Sequence, residues 1–208
     1  MSLVVGFDLD MTLLDSRPGI IASLRAVTAD TGVPIDVDIV LNRLGPKLEV
    51  ELAHWFPRAE VPAMCDLYRE HYHEHCVDGG TLLFAGARES VDAVRAHNGT
   101  VLIVTAKSEA LSHRCLDEVG LAADIVVGHV HGEEKRDALR AHAAQVYVGD
   151  TIPDVRAGIE AGAAAVAVAT GMHTAQQLAG AGATIVLPTL EPFPNWLREY
   201  VASSRTRP

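Results

Sequence analysis

Cysteine, lysine and long apolar runs are all scarce in this chain of 208 residues. The three cysteines are odd in number and match no zinc-ligand spacing, which argues against a disulfide framework or a zinc module and predicts reduced thiols in a cytoplasmic protein. The longest apolar stretches, such as residues 163–170, fall far short of the roughly 20 residues that a membrane-spanning helix needs. With no basic leader before the first apolar run, we expect no signal peptide.

Positive charge is also in short supply, since 17 basic residues against 27 acidic ones give a formal net charge of −10. This sign argues against nucleic acid or an anionic membrane as a partner, because both require a basic surface. An anionic substrate would need a bound divalent cation or well-placed lysines to reverse the sign locally. Lysine occurs only at Lys47, Lys107 and Lys135, so each of the three is a candidate for this local positive charge.

Apolar runs and helical patterns alternate along most of the chain. The runs typical of buried parallel strands cover residues 3–7, 101–104, 124–127, 146–148, 165–169 and 184–187. The helical patterns that follow the later runs cover residues 109–118, 133–144, 152–161 and 174–179. This alternation predicts an α/β fold, a doubly wound parallel sheet of Rossmann-like type with helices on both faces.

Residues 16–81 break the alternation and predict helices only. These helices cover residues 19–31, 37–44, 48–55 and 61–75. We therefore expect an inserted all-helical cap domain at residues 15–81 and an α/β core made of residues 1–14 and 82–208. We also expect a frayed tail at residues 201–208.

Two acidic residues follow the first predicted strand. Asp8 and Asp10 are two positions apart, so strand geometry directs both side chains toward the same point. Two carboxylates that close repel each other unless a cation or a shared proton lies between them. The alternative is a pair of acidic turn residues at a strand end, and this pair alone does not separate the two interpretations.

Polar residues follow two further strands. Thr105 and Ala106 precede a helix, where unpaired backbone amides favour anions, although Thr105 or Ser108 could serve only as a helix cap. Asp150 and Asp154 flank the start of another helix and could face one ion, or could simply cap that helix.

Lys135 begins the helix before the fourth strand of the alternating series, where a solvated surface lysine is the alternative. All these groups fall at or just beyond the carboxyl ends of predicted parallel strands, where open α/β sheets place their sites. The coincidence of order, residue type and topology favours a functional site over surface decoration.

Taken in order, these motifs resemble the haloacid dehalogenase-like hydrolase superfamily, in its phosphoglycolate-phosphatase-like branch with a helical cap. The matching positions span nearly the whole chain: residues 8–12, Leu44-Gly45-Pro46, residues 68–72, Thr105, Lys135 and residues 149–154. Met11 departs from the pattern, because the family usually has glycine there, and Arg136 stands where close phosphoglycolate phosphatases often have proline.

The resemblance implies a reaction that splits hydrolysis into two steps. Asp8 would attack phosphorus and form an aspartyl-phosphate, while Asp10 would protonate the leaving oxygen and then deprotonate the attacking water. Thr105 would hold the transferring phosphoryl group together with nearby backbone amides, and Lys135 would screen the repulsion between that group and Asp8. A halide leaving group needs no acid, so Asp10 favours phosphoryl transfer over dehalogenation.

The resemblance also implies a cofactor and substrate contacts. Mg²⁺ would be bound by Asp8, by the backbone carbonyl of Asp10 and by Asp150, with Asp154 as a further ligand or in support of the ligands. Thr12 and Ala106 are the remaining substrate-binding candidates in the core. In the cap the candidates are Arg17 and Lys47, since a carboxylate or a second phosphate on the leaving group would need a cation. A salt-bridged surface is the alternative for those two residues.

We therefore expect a Mg²⁺-dependent phosphatase that acts on a small soluble phosphate monoester, with a phosphoglycolate-like substrate favoured, as a monomer or small homo-oligomer. One alternative is a sugar-phosphate mutase of the same superfamily, and another is a non-catalytic phosphate-binding module. His71 and His75 share a helix face and could bind zinc, but a solvated surface is favoured there. His129 and His131 are candidates for the entrance of the site.

Overall fold

The computed structural model describes residues 3–204. Its strands are β1 (Val4–Phe7), β2 (Leu14–Asp15), β3 (Leu82–Leu83), β4 (Thr100–Val104), β5 (Ile125–Val127), β6 (Val146–Gly149), β7 (Ala164–Val168) and β8 (Ile185–Leu187). Its helices are α1 (Arg17–Thr31), α2 (Val37–Leu41), α3 (Leu48–Leu52), α4 (Val61–His75), α5 (Ala87–Ala96), α6 (Glu109–Glu118), α7 (Glu133–Ala141), α8 (Ile152–Ala161), α9 (Ala175–Gly180) and α10 (Phe193–Ser204).

Six strands form one parallel sheet in the order β5-β4-β1-β6-β7-β8. β1 lies in the middle, where Phe7 pairs with Ile103 of β4 on one side and with Val148 of β6 on the other. The order reverses around β1, which places the topological switch point at its carboxyl end.

Helices cover both faces of this sheet, as successive strand residues show. In β4, Val101 and Ile103 belong to the large apolar cluster that includes residues of α5 and α10. Leu102 and Val104 point to the other face and pack in a second cluster with residues of α7 and α8. The doubly wound parallel sheet predicted from the sequence is therefore confirmed.

Residues 17–75 contain only the helices α1–α4, and α1 packs against α4. The chain enters and leaves this helical cap through a short antiparallel ribbon in which Leu14 pairs with Leu83 and Asp15 pairs with Leu82. The inserted helical cap of the predicted fold class is thus present. Its exact limits at residues 15 and 81 stay a prediction.

Several element predictions were incomplete. The helices α2, α3 and α7 end three residues before the predicted bounds, and α5 and α10 were not predicted although both carry buried apolar faces. The frayed tail is wrong for residues 201–204, which form the last turn of α10, and residues 205–208 lie outside the described residues. None of the helices within residues 3–204 combines the length and the apolar character that a bilayer crossing requires.

Candidate active site

Three adjacent strands bring the predicted site residues to one edge of the sheet. Asp8 follows β1, Thr105 follows β4 and Asp150 follows β6, and these strands are direct neighbours. From the first turn of α7, Lys135 extends its Nζ to within 2.9 Å of Asp8 Oδ1. Lys135 is buried and is not the solvated surface lysine of the alternative interpretation.

A buried carboxylate cluster occupies this edge. Oxygen atoms of Asp8, Asp150 and Asp154 all lie within 4.8 Å of one another. Burial raises the pKa of Asp8 to about 7 in spite of Lys135, and burial together with the charges of Asp154 and Asp8 raises the pKa of Asp150 well above its usual range. The charged forms of Asp8 and Asp150 therefore lack sufficient compensation from the protein alone. A divalent cation with oxygen ligands fits this donor set.

Asp154 has a different environment from the other two carboxylates. Its Oδ1 accepts a hydrogen bond from Lys135 Nζ at 2.7 Å and lies 3.0 Å from the Tyr147 hydroxyl. Its Oδ2 accepts from the backbone N–H and the hydroxyl of Thr151, which is the N-cap of α8. Burial opposes the charge of Asp154, but Lys135 and these hydrogen bonds outweigh burial and lower the pKa. Both oxygens are thus already engaged, and Asp154 is placed to hold Lys135 and the start of α8.

Asp150 is held by groups that the sequence did not assign to it. The Thr12 hydroxyl donates to Asp150 Oδ1 at 3.0 Å and is completely buried, so Thr12 is placed to orient Asp150, and its predicted contact with substrate stays a prediction. On the other side, a Cβ atom added to Gly171 would lie 1.8 Å from Asp150 Oδ2, so a larger residue there would displace the Asp150 carboxylate. Met11 has a φ of 62°, a left-handed conformation that favours glycine, the residue that the resemblance leads us to expect at this position.

Asp10 lies in a separate network that reaches the cap. Its Oδ1 accepts from the Ser16 hydroxyl at 2.6 Å and lies 2.9 Å from Lys107 Nζ. The same ammonium donates to the Tyr72 hydroxyl of α4 at 2.6 Å and lies 4.1 Å above the ring of Tyr72. Burial opposes the charge of Lys107, but Asp10 together with Tyr72, Cys115 and Tyr68 outweighs burial, so the pKa of Lys107 is raised well above its usual range. Sequence reasoning noted Lys107 only for the scarcity of lysine and missed this contact.

Thr105 and Ala106 line a cavity between the strand ends and the cap, and their predicted role in phosphoryl binding stays a prediction. Thr105 is buried, and its hydroxyl accepts a hydrogen bond from the backbone N–H of Lys107 at 3.2 Å. Ser108 is the N-cap of α6, which agrees with the interpretation that it serves as a cap.

A cavity of about 130 Å³ lies between the strand ends and the cap. Asp8, Asp10, Thr105 and Asp150 line its core side. A site for one water molecule needs roughly 10–15 Å³, so the cavity has room for a small ligand. The residues that line its cap side include Ile20, Leu24, Val40, Leu44, Gly45, Pro46, Leu48, Glu49, Glu51, Tyr68, Arg69 and Tyr72.

The structure does not bring the two predicted cap cations to this cavity. Arg17 makes two side-chain hydrogen bonds to Asp15, at 2.6 and 2.7 Å, and lines a neighbouring depression that also contacts Asp150. Lys47 Nζ lies 2.7 Å from Glu134. Both side chains are exposed or half-exposed and form ion pairs. This arrangement is the salt-bridged surface that we gave as the alternative for these two residues.

Of the histidines that we singled out in the sequence, one lines the cavity. His129 lines the cavity, and His131 does not, and burial followed by the charge of Lys135 lowers the pKa of His131. His71 Nε2 lies 2.7 Å from Asp30 Oδ2, and the rings of His71 and His75 stack at 6.2 Å. The three cysteines are buried and free of disulfide bonds.

Comparison with known proteins agrees with this site. The chain matches a family model described as haloacid dehalogenase-like hydrolase over residues 5–168. It is 31% identical to a phosphoglycolate phosphatase of Chromobacterium violaceum over 204 residues, which cover 87% of this chain and 90% of the relative.

Solved structures share the fold at lower identity. A predicted phosphatase from Clostridium acetobutylicum superimposes with a TM-score of 0.78 at 19% identity, over 96% of this chain and 99% of that one. A β-phosphoglucomutase from Clostridium difficile gives a TM-score of 0.78 at 15% identity, over 100% of both chains. The matched segment contains Asp8, Thr105, Lys135 and Asp150, the residues that the fold brings to one edge of the sheet, and the chain belongs to the haloacid dehalogenase-like hydrolases.

Proposed function

We propose that this hydrolase is a Mg²⁺-dependent phosphatase that cleaves a small phosphate monoester through an aspartyl-phosphate on Asp8. The observation that carries the proposal is the position of Asp8, buried at the floor of the cavity, 2.9 Å from Lys135 and within the carboxylate cluster. Such a site places a nucleophile where a phosphoryl group can be bound by positive charge and shielded from bulk water.

In the first step an oxygen of Asp8 attacks phosphorus and the bond from phosphorus to the alcohol oxygen breaks. Asp10 donates its proton to that departing oxygen, so the alcohol leaves neutral. Lys107 and Ser16 both contact Asp10 Oδ1 and fix its side chain for this transfer. The product of this step is the mixed anhydride of Asp8 and phosphate.

In the second step water attacks the phosphorus of that anhydride. Asp10, now ionised, takes a proton from the water, the bond from phosphorus to Asp8 breaks, and inorganic phosphate leaves. Asp8 and Asp10 return to their starting states, so the cycle is balanced with water as its only second substrate.

The remaining site residues stabilise charge. Lys135 offsets the repulsion between Asp8 and the phosphoryl group, and the Thr105 and Ala106 segment offers polar groups to the phosphoryl oxygens. Asp8, Asp150 and the backbone carbonyl of Asp10 would hold Mg²⁺, while Asp154 keeps Lys135 in place. When bound, the ion supplies positive charge to the developing oxyanions.

The name of the relative from Chromobacterium violaceum makes 2-phosphoglycolate the reference substrate for any assay. The fold alone does not separate a phosphatase from a mutase, because both kinds occur among its structural neighbours. The reaction product separates the two activities, since a mutase would isomerise a sugar phosphate without net release of phosphate. Cytoplasmic location, a monomer or small homo-oligomer and the domain limits stay predictions.

The test is phosphate release from a panel of phosphate monoesters in the presence of Mg²⁺, with Asp8→Asn as the matched control. An amide is a poor nucleophile, so we expect Asp8→Asn to lose turnover by about 10³-fold or more with the fold intact by circular dichroism. A variant that keeps more than about a tenth of wild-type turnover would show that Asp8 is not the nucleophile. No release by the wild-type protein from any ester would contradict the proposal, and isomerisation of a sugar phosphate would then separate the mutase from the non-catalytic module.

A further inference from the structure

The cap side of the cavity has mostly apolar walls. Ile20, Leu24, Leu44 and Leu48 line it, as does the pair Tyr68 and Tyr72, whose rings stack with centroids 5.7 Å apart and 17° between their planes. The departing alcohol must be bound on this side, because the phosphoryl-binding groups belong to the core side. An apolar body suits these walls better than a strongly hydrated one.

The cations that line the cavity are already neutralised. Within residues 3–204, the lysine and arginine side chains on the lining are Arg69 and Lys107. Lys107 is paired with Asp10 at 2.9 Å, and Arg69 is paired with Glu49 and also lies 3.1 Å from Asp66. Arg17 and Lys47, which we expected to bind a carboxylate or a second phosphate on the substrate, are both paired with acidic residues elsewhere.

Two carboxylates belong to the cap side of the cavity, and one of them has an oxygen atom without a hydrogen-bond partner among the described residues. Glu49 and Glu51 both line the cavity. Glu51 Oε1 accepts from Arg43 at 2.5 Å and from Trp55 Nε1 at 2.9 Å. The Glu49 side chain is 36% exposed and pairs with Arg69 through Oε1, but its Oε2 atom is buried and has no hydrogen-bond partner in the part of the chain that the structure describes. A buried carboxylate oxygen without a donor is rare in folded proteins and is suited to a donor from a ligand.

We propose that Glu49 is a specificity-determining residue whose free oxygen accepts a hydrogen bond from the leaving group. The preferred leaving group then has an apolar body, carries a hydroxyl or an ammonium group as a donor, and bears no carboxylate. This inference rests on the proposed phosphatase activity of the same cavity. A carboxylate at that position would face Glu49, and the described lining has no unpaired lysine or arginine to offset the repulsion.

Three esters of the same length separate the possibilities: 2-phosphoglycolate, 2-hydroxyethyl phosphate and O-phosphoethanolamine end in a carboxylate, a hydroxyl and an ammonium group. We expect the wild-type protein with Mg²⁺ to give kcat/KM values for the hydroxyl and ammonium esters at least about tenfold above that for the carboxylate ester. A wild-type preference for 2-phosphoglycolate overturns the inference and leaves the phosphatase proposal standing.

Glu49→Gln should lower the kcat/KM ratio of the ammonium ester to the carboxylate ester by about tenfold or more, because the variant loses the acceptor charge and releases Arg69. Arg69→Gln should raise the same ratio, since it leaves Glu49 without its cation, and this second variant tests the assignment even if Glu49→Gln folds poorly. Glu74→Gln is the matched control: Glu74 is exposed on α4, so the same change in net charge should leave the ratio as in wild type.

A ratio that responds equally to Glu49→Gln and Glu74→Gln would overturn the role of Glu49. Lack of phosphate release from all three esters and from p-nitrophenyl phosphate would contradict the proposed function itself, and the inference would fail with it. A failure of the specificity and a failure of the activity are thereby distinguished.

Discussion

Asp150 and Asp154 show how the surroundings of one residue type decide what it does. Both are buried, but Asp150 has one hydroxyl donor, from Thr12, whereas Asp154 has donors on both of its oxygens. The pKa of Asp150 is raised and that of Asp154 is lowered. The charge of Asp150 is therefore destabilising in the metal-free fold, and the charge of Asp154 is stabilising.

This contrast predicts opposite effects of the same isosteric substitution on folding. Asp154→Asn leaves Lys135 buried beside a neutral amide and should lower the free energy of unfolding by about 3–5 kcal/mol. Asp150→Asn removes a repulsive charge and should change the free energy of unfolding by less than about 1 kcal/mol, or raise it. Urea unfolding of both variants in excess chelator measures the two values. Equal losses of stability would contradict the electrostatic account of the cluster.

Lys107 gives a second prediction for a single residue, because we expect it to affect catalysis through its contact with Asp10. If Lys107 positions the proton donor, Lys107→Met should slow the hydrolysis of an alkyl phosphate by about 10²-fold, within the range that a general acid contributes. p-Nitrophenyl phosphate has a leaving group that needs little protonation, so its hydrolysis should fall much less. The measurement is kcat for both esters.

Tyr72→Phe is the control for that comparison, since it removes only the Tyr72 hydroxyl that accepts a hydrogen bond from Lys107 and keeps the ring. We expect a smaller loss than in Lys107→Met with the same dependence on the ester. Equal losses on both esters in Lys107→Met would assign Lys107 a purely structural role.

At the scale of elements, the sequence predicted what depends on local pattern and missed what depends on tertiary contact. Strands buried on both faces, such as β4 and β6, give continuous apolar runs that are visible in the sequence. Because the strands are parallel, the residue after each strand could be placed at one edge, which is why Asp8, Thr105 and Asp150 were found.

The ribbon of β2 and β3 could not be predicted in the same way. Each strand has two residues, and the pair joins Leu14 to Leu83 across the whole cap. The contact of Lys107 with Tyr72 likewise depends on where the cap lies over the core, which no local pattern encodes. The helix α5, in contrast, was a missed signal, because Ala87, Ser90, Val91 and Val94 follow helical spacing and are all buried.

The ribbon of β2 and β3 also allows a test of whether the α/β core folds without the helical cap. Asp15 and Leu82 are paired antiparallel, so a two-residue Asn-Gly turn can replace residues 16–81 and close a hairpin. If the core is a separate folding unit, the shortened chain should unfold cooperatively in urea with the circular dichroism of an α/β protein, though at a lower midpoint than the full chain. Absence of a cooperative transition would contradict a core made of residues 1–14 and 82–208.

At the scale of the whole molecule, the net charge of −10 and the carboxylate cluster predict that stability depends on a bound cation. The pKa of Asp8 rises from 3.8 to about 7 on burial, so the metal-free fold loses stability as the pH rises through that interval. Under the proposed assignment Mg²⁺ would bind the folded state and relieve the repulsion, so it should raise the Tm. The increase should be larger at pH 8 than at pH 5.5, where protons compete for Asp8.

Thermal unfolding with Mg²⁺, with Ca²⁺ and in chelator measures this effect, and the same samples can be assayed for phosphate release. We expect chelation to abolish activity and Mg²⁺ to restore it, while Ca²⁺ fails because its looser coordination misplaces the nucleophile. Asp150→Asn should weaken the Mg²⁺-dependent rise in Tm. Full activity in excess chelator would contradict the metal assignment.

The central claim is that the phosphoryl group passes through Asp8, and mass spectrometry of the acid-quenched protein tests it most directly. With Mg²⁺ and a turnover-competent phosphate ester, the peptide that contains Asp8 should gain the mass of one phosphoryl group, and fragmentation should place it on Asp8. The added mass should be absent in chelator and in Asp8→Asn. Steady turnover with the phosphoryl group on another residue, or with phosphate release undiminished in Asp8→Asn, would contradict the account.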